Sequence, residues 1–422
     1  MSEPQSTTPS VPFSSFQDVR QALLSGDEIA LLDVREECDF AQCHPLFAAN
    51  LPVNRIATDA AIRLPRRDTM LVLYDNGEGL AQLALSQLKQ LGFASVSLLA
   101  GGLAGWMDAG GEVFKDVNVP SKAFGELVES RRHTPSLSAQ EVKALLDSQA
   151  DVVVLDARRF DEYQTMSIPG AISVPGAELV LQAQALAPDP ATRIVVNCAG
   201  RTRSLIGTQS LINAGILNPV SALRNGTIGW TLAGQTLDHG ASRRFAEVSE
   251  QQRLQAAERA RAVADRAGVK RVRWGDLSEL LVQTQRTIYC FDVRTPEEFV
   301  TGHLSGFRHV PGGQLVQETD VSAPIRGARI VLFDTLGVRD HMSGSWLAQM
   351  GWDVWVLDGA TAADLRETGP GAVLAPVSGA GRYRRPYEGT DNPVEAIQAY
   401  LDWEYGLVDQ LARDGTHGFW VL

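Results

Sequence analysis

Cysteine is scarce in this chain, which has four cysteines in 422 residues. So few cysteines exclude a disulfide scaffold and are typical of a reducing compartment. Long apolar runs are also lacking, since no segment approaches the roughly 18 residues that a membrane span needs. The N-terminal residues MSEPQSTTPS have neither the basic nor the apolar region of a secretory signal. We therefore expect a soluble, cytoplasmic protein with no membrane partner.

Positive charge is in deficit as well. The chain has 38 Lys and Arg against 50 Asp and Glu, so its formal net charge is −12. Binding to a phosphate backbone needs a surplus of positive charge, so we expect no nucleic-acid partner. What is present is an ordinary globular mixture, with 44% hydrophobic and 21% charged residues. At about 150 residues per domain, this length allows roughly two to four domains.

Three segments of the chain repeat one pattern. Each begins with an apolar run that ends in Asp-x-Arg, at Asp33, Asp156 and Asp292. Counted from these aspartates, an aromatic residue follows after 7 positions, a proline after 19 and a glycine after 59. The matched residues are Phe40, Tyr163 and Phe299; Pro52, Pro175 and Pro311; and Gly92, Gly215 and Gly351. Because the repeats are 123 and 136 residues apart, they are tandem domains and not the short units of a solenoid.

Each repeat alternates two kinds of segment. Runs such as VVVLD and RIVVN indicate buried strands, and longer helical patterns follow them. This alternation predicts an α/β fold in which each domain is a parallel sheet flanked by helices. In such sheets ligands bind at the carboxyl ends of the strands. The position 42 residues after the origin lies at such an end, and Asp75, Cys198 and Asp334 occupy it.

Composition predicts the domain boundaries. We expect a first domain over residues 12–118, a second over 135–240, a helical linker over 241–268, a third domain over 269–365 and a C-terminal extension over 366–422. The linker is rich in Ala, Arg, Glu and Gln, which favours a solvent-exposed helix.

The C-terminal extension also contains a helical pattern. Asn392 is a candidate cap, with Pro393 in the first helical turn. The apolar stripe consists of Ile397, Tyr400, Leu401, Val408 and Leu411, and Gly415 ends the pattern. A stripe of this kind usually packs on its own protein, and we expect that here.

Three features together resemble the rhodanese (sulfurtransferase) family, in its multidomain bacterial form. They are Asp-x-Arg after a central strand, an extended stretch that reaches a proline (SIPGAISVP in the second repeat), and a Cys-headed loop between strand and helix. That loop, Cys198-Ala-Gly-Arg-Thr-Arg-Ser204, is similar to the Cys-x-x-Gly-x-Arg-Ser loop of bacterial rhodaneses. This loop departs from the family pattern at Gly200, which follows the cysteine by two residues, and at Arg201, which stands where the family has glycine. The resemblance implies three tandem rhodanese-like domains plus a C-terminal helical extension.

Only the second domain has a cysteine at the critical position. A carboxylate cannot accept and pass on sulfur, so Asp75 and Asp334 predict that the first and third domains are inactive. The alternative is that these aspartates serve hydrolysis or bind a cation, but each stands without the clustered carboxylates that such sites need. A strand end before a helix, with arginines nearby, lowers the pKa of a thiol. Cys198 is therefore the predicted catalytic nucleophile.

The rest of the loop is the predicted substrate-binding site, formed by Ala199, Gly200, Arg201, Thr202, Arg203 and Ser204. Its two arginines would hold an anionic sulfur donor. We expect no metal, because Cys38 and Cys43 match no common zinc spacing, and no cofactor. Cys290 is expected in the core. The Asp-x-Arg pairs recur in the domains without the cysteine, so we interpret them as structural clamps.

The predicted activity is transfer of a sulfane sulfur from a small, thiosulfate-like anion to a thiol or cyanide acceptor through a Cys198 persulfide. One alternative is a scaffold or redox protein that delivers persulfide to a protein partner. Another is a cysteine phosphatase or arsenate reductase, which shares the fold. Those enzymes need an arginine six residues after the cysteine, and Ser204 occupies that position.

Overall fold

The chain is described by a computed structural model over residues 11–245, 247–283 and 285–422. In this part of the chain each domain contains a parallel sheet of five strands, with the order first, fifth, fourth, second, third. The expected α/β fold with three parallel sheets is therefore confirmed. The strands are β1 Phe13–Ser14, β2 Ile29–Asp33, β3 Ala48–Asn50, β4 Met70–Tyr74, β5 Val96–Leu99; β6 Ser136–Leu137, β7 Val152–Asp156, β8 Ile172–Ser173, β9 Arg193–Asn197, β10 Val220–Leu223; β11 Lys270–Arg273, β12 Ile288–Asp292, β13 Arg308–His309, β14 Arg329–Phe333 and β15 Asp353–Asp358.

Helices flank the sheets. They are α1 Phe16–Ser25, α2 Glu37–Phe40, α3 Ile56–Arg63, α4 Leu80–Gln90, α5 Gly102–Asp108, α6 Val119–Arg132, α7 Ala139–Asp147, α8 Phe160–Thr165, α9 Leu179–Leu186, α10 Thr202–Asn213, α11 Gly226–Leu232, α12 Glu250–Arg266, α13 Leu277–Leu281, α14 Pro296–Thr301, α15 Gly312–Gln317, α16 Thr319–Ser322, α17 Arg339–Gln349, α18 Val394–Tyr405 and α19 Leu407–Asp414. Capping boxes start α1, α7, α12 and α14, where the side chains of Ser15, Ser138, Ser249 and Thr295 accept from the third helical amide. Within the described ranges, none of these helices has both the length and the apolar composition that crossing a bilayer requires.

In the second domain the two central strands, β7 and β9, end side by side. In β7 and β9, Val154 pairs with Val195 and Asp156 pairs with Asn197, the residue before Cys198. The valines of these strands have stiff, β-branched side chains, which suit a sheet that is covered on both faces. The Asp-x-Arg segment and the cysteine loop therefore leave the sheet side by side.

The chain forms two compact units. The first contains the first domain with residues 323–327 and 376–382, and the second contains residues 118–322, 328–375 and 383–422. The second unit begins at α6, which is buried from Val119 to Val128.

The linker helix is α12, and the prediction that it is solvent-exposed is wrong for one of its faces. Ala256, Ala260 and Val263 are buried in a cluster with Leu179 of the second domain and Met342 of the third. Small side chains at these positions let the helix approach its neighbours closely, and this packing outweighs the polar composition of the rest of α12.

The C-terminal extension folds into α18 and α19. Ile397, Tyr400 and Leu401 pack against Ile228 of α11, as the apolar stripe predicts. The cap prediction is wrong, because α18 begins after Pro393 and the Asn392 side chain donates instead to the Glu388 carbonyl. The extension therefore packs on the second domain, on the helix that follows β10.

Candidate functional site

Cys198 lies between the end of β9 and the start of α10, and its side chain is buried, with 1% of its surface exposed. Its Sγ is 3.4 Å from Ser204 Oγ. The Ser204 hydroxyl in turn donates to the Arg201 carbonyl across 2.8 Å. The first turn of α10 therefore curls around the sulfur, in the position that the sequence predicts.

A close backbone approach holds the loop from the other side. Thr227 N donates to the Cys198 carbonyl across 2.9 Å, and Ile228 N donates to the Ala199 carbonyl across 3.1 Å. Gly226 makes this possible: a Cβ there would lie 2.3 Å from the Cys198 carbonyl oxygen, and its φ is +56°. Only glycine fits both the contact and the left-handed backbone. The start of α11 thus holds the backbone of the cysteine loop in place through these two hydrogen bonds and the close approach at Gly226.

Electrostatics at Cys198 differ from the expectation. Burial raises the pKa of the Cys198 thiol, although the Arg203 charge and hydrogen bonds with Ser204 lower it, and Glu404 raises it further. The predicted lowering of this pKa is therefore wrong for the structure described. The arginine and the helix start act as expected, but removal of the sulfur from water outweighs them.

Arg203 is fixed by one carboxylate. Its Nη1 and Nη2 donate to Glu162 of α8 across 2.7 and 2.9 Å. Burial raises the pKa of Glu162, but the Arg203 charge and its hydrogen bonds outweigh this effect and lower that pKa to about 2. Arg203 is therefore oriented beside Cys198 by a permanently charged partner.

Arg201 is held by several groups at once. Its Nε and Nη2 donate to Glu126 across 2.7 and 2.8 Å, and Nη2 also contacts Glu129. Nη1 donates to Asn225 Oδ1 across 3.2 Å, and the guanidinium lies 4.0 Å from the centroid of the Tyr405 ring. These contacts fix Arg201 between α6, α11 and the C-terminal extension. Its contact with a donor anion stays a prediction.

The remaining loop residues face other parts of the second unit. A Cβ at Gly200 would lie 3.2 Å from Glu404 Oε2 and 3.4 Å from Tyr400 Cε1. α18 therefore covers the loop where this sequence departs from the family pattern. Thr202 is buried and borders Gly125 of α6. A cavity of about 40 Å³ beside it is lined by Thr202, Arg203, Ile206, Met342, Ser343 and Trp346, among others.

The Asp-x-Arg pairs form the same clamp in all three domains. In the second domain Arg158 Nε and Nη2 donate to Asp156 across 2.8 and 2.7 Å, and Nη2 also donates to the Met166 carbonyl across 2.6 Å. The equivalent arginines, Arg35 and Arg294, bind their aspartates and the carbonyls of Cys43 and Gly302. The structural interpretation of these pairs is confirmed.

The critical aspartates of the other two domains fill their own loops. Asp75 accepts from the amides of Gly77 and Ala81 across 3.0 and 2.9 Å. Asp334 accepts from the amides of Val338 and Arg339 across 3.1 and 3.0 Å. In both loops a resident carboxylate thus takes the amides that would bind an external anion.

Sequence reasoning missed Glu126, Glu162, Glu404 and Tyr405, which surround the loop. Glu162 lies in the acidic first turn of α8, where such residues usually face solvent and the helix dipole. Glu126 is 75 residues from its partner Arg201 along the chain. No local pattern marks such a pair, although the additional arginine at position 201 implies a carboxylate somewhere.

We expect Arg201→Ala to destabilise the second unit. The side chains of Arg201 and Glu126 are 3% and 4% exposed, so the substitution leaves a buried carboxylate without its partner. The free energy of unfolding should fall by about 3–5 kcal/mol, measured by urea denaturation. As a control, the double variant Arg201→Met with Glu126→Met should recover most of that loss. A loss below about 1 kcal/mol in the single variant would contradict the structural role of the pair.

The family profile of the Rhodanese-like domain matches residues 15–109, 138–233 and 275–364. The crystal structure of thiosulfate sulfurtransferase from Pseudomonas aeruginosa is 51% identical and superposes with a TM-score of 0.95, over 98% of this chain and 100% of that one. An uncharacterized protein of Synechocystis is 33% identical over 100 residues, which are 24% of this chain and 55% of that protein. An HTH-type transcriptional regulator of Mycobacterium tuberculosis is 35% identical over 91 residues, 22% of this chain and 39% of that protein.

Proposed function

The chain belongs to the rhodanese family and is a sulfurtransferase, and we propose that its second domain carries the sulfur as a persulfide on Cys198. One observation supports this assignment above the others. Of the three equivalent loops, only that of the second domain has a sulfur nucleophile, at the junction of β9 and α10. The other two have carboxylates bound to their own amides.

The first half-reaction takes sulfur from a donor. The Cys198 thiolate attacks the outer sulfur of thiosulfate, so that a bond forms between Sγ and that sulfur while the S–S bond of the donor breaks. Sulfite leaves with the electron pair of the broken bond. The persulfide keeps one negative charge, so the total charge of the reactants is conserved.

The second half-reaction passes the sulfur on. An acceptor thiolate or cyanide attacks the outer sulfur of the persulfide, and the Cys198 thiolate is the leaving group. The two steps together are of the ping-pong type. The relative that is 51% identical is a thiosulfate sulfurtransferase, and this supports thiosulfate as the donor.

The loop supplies the groups that this chemistry needs. Arg203 lowers the pKa of Cys198 and provides a fixed positive charge for the donor and for the departing sulfite. The Cys198 thiol donates to Ser204 Oγ, and the Ser204 hydroxyl, which donates to the Arg201 carbonyl in this state, can rotate to donate to the thiolate. Ala199, Gly200, Arg201 and Thr202 complete the loop whose amides we assign to the donor.

The test is the intact mass of the protein before and after incubation with thiosulfate. We expect a gain of one sulfur atom, located by peptide mapping on Cys198 and lost again when cyanide is added. Hydrolysis of p-nitrophenyl phosphate, measured in parallel, tests the phosphatase alternative. Sulfur on another cysteine, or phosphate release without sulfur gain, would refute the proposal.

We expect Arg203→Ala to weaken donor use. Loss of a charge-assisted contact costs about 1.5–3 kcal/mol, which corresponds to a roughly ten- to hundredfold lower kcat/KM for thiosulfate. The pKa of Cys198, followed by alkylation with iodoacetamide at several pH values, should rise because Arg203 lowers it. Arg159→Ala is the matched control, because Arg159 contacts the same Glu162 from a half-exposed position. Equal kcat/KM values for wild type and Arg203→Ala would remove this residue from the site.

A further inference from the structure

A buried carboxyl group of the C-terminal extension faces the cysteine loop. Glu404, in α18, has no exposed surface. Its Oε1 accepts from the Tyr400 hydroxyl across 2.7 Å, whereas its Oε2 has no hydrogen-bond partner among the described residues. That second oxygen lies 3.2 Å from the place of a Cβ on Gly200, two residues after Cys198. A buried polar atom without a partner is costly, so its presence against the loop that carries the nucleophile points to a function.

Charged groups on the neighbouring elements act on Glu404. From α6, Glu126 raises its pKa and Lys122 lowers it, and from the loop Arg201 lowers it. Burial is the largest effect and, despite the hydrogen bond from Tyr400, the pKa of Glu404 rises to about 7. The influence is mutual at the loop, since Glu404 raises the pKa of Cys198.

The other charges around the loop balance one another. The positive side chains are Arg201, Arg203 and Lys122, and the negative ones are Glu126, Glu129 and Glu162. Since these six charges sum to zero, ionisation of Glu404 changes the net charge of this set of side chains around the loop from neutral to negative. The neutral acid also has an O–H donor, whereas the carboxylate has acceptors only.

We propose that Glu404 selects substrates by charge, so that its neutral form admits an anionic donor to Cys198 and its ionised form rejects it. This inference rests on the proposed function of Cys198 as the site of sulfur transfer. It also gives Gly200 a role, because a Cβ there would lie 3.2 Å from Glu404 Oε2 and would press on the carboxyl group that covers the loop. Glu404 is thus a specificity-determining residue supplied by the extension.

A pair of electrophiles that differ in charge tests this inference without sulfur transfer. Iodoacetamide is neutral and iodoacetate is an anion, and both alkylate the Cys198 thiolate. The ratio of their rates cancels the fraction of thiolate at each pH. In the wild type we expect the ratio of iodoacetamide to iodoacetate to rise about tenfold between about pH 6 and about pH 8, as Glu404 ionises. Alkylation of Cys198 is followed by peptide mass.

Two variants complete the test. Glu404→Gln has almost the same shape and stays neutral, so its ratio should remain at the low-pH value of the wild type. Glu395→Gln, on the exposed side of α18, should follow the wild type. A pH-independent ratio in the wild type, or the same rise in Glu404→Gln, would overturn the inference. The wild-type profile alone decides the matter if Glu404→Gln fails to fold.

Sulfur transfer separates this inference from the proposed function. Thiosulfate is a dianion and methanethiosulfonate a monoanion, so above about pH 7 Glu404→Gln should raise kcat/KM more for thiosulfate, by about fivefold. An equal effect on both donors would contradict charge selection. A different result is that the wild type and both variants show the expected alkylation ratios but transfer no sulfur from either donor. That result would refute the proposed function and leave the charge selection by Glu404 standing.

Discussion

Cys198→Ser should lose sulfur transfer from thiosulfate to cyanide and keep its fold. A serine hydroxyl has nearly the shape of the thiol and can keep the contact with Ser204, which is 3.4 Å away in the structure. It cannot become a nucleophile for sulfur at neutral pH, nor carry a sulfur atom that an acceptor would take. We expect thiocyanate formation to fall at least about a thousandfold, as is usual when a covalent nucleophile is removed.

The matched control for this variant is Cys38→Ser. Cys38 is half-buried in the first domain and lies in the short helix α2, whereas Cys198 lies at the junction of β9 and α10. Thiocyanate formation and the mass gain with thiosulfate should both be unchanged in the control. If Cys198→Ser instead kept a tenth or more of the wild-type rate, another group would carry the sulfur and the second domain would lose its central role.

The fold was predictable because its determinants are local and repeated. Buried parallel strands are recognisable in the sequence as short apolar runs. Aligning the three repeats shows which positions are structural. Each copy has an equivalent aspartate (Asp33, Asp156 or Asp292), and in the structure each of them is bound by its arginine in the same way. Comparison within the chain thus separated the clamp from the one position, Cys198, at which the copies differ in chemistry.

The surroundings of the loop were not predictable, because they are formed by residues far away in the sequence. Glu126 comes from a helix that the repeat pattern leaves unassigned, and Glu404 comes from the C-terminal extension. The error about the pKa of Cys198 has the same origin. A strand end followed by arginines predicts a lowered pKa, but nothing in the loop shows that Cys198 is 1% exposed in the folded chain.

Moving the cysteine to another domain should not move the activity. We expect Asp75→Cys and Asp334→Cys, each in a Cys198→Ser background, to remain at least about a thousandfold below wild type in thiosulfate:cyanide transfer. Either substitution frees two loop amides, yet neither of these described loops offers an arginine that is held, as Arg203 is, by a single carboxylate. The loop around Asp75 contains Glu78 and no arginine.

The third domain is the more demanding test, because its loop does contain an arginine. Arg339 donates to Glu178 across 2.6 Å and contacts Glu298 and Asp334 at 3.0 and 3.1 Å. With Asp334 replaced by cysteine, two carboxylates still hold this guanidinium, whereas one holds Arg203, so the third loop offers a donor dianion less positive charge than the second. Thiocyanate assays on the two double variants, with the parent Cys198→Ser as baseline, measure the outcome. Recovery of more than about a tenth of the wild-type rate by either variant would mean that the position of the cysteine alone makes an active domain, and that the carboxylates around the loop do not decide which domain transfers sulfur.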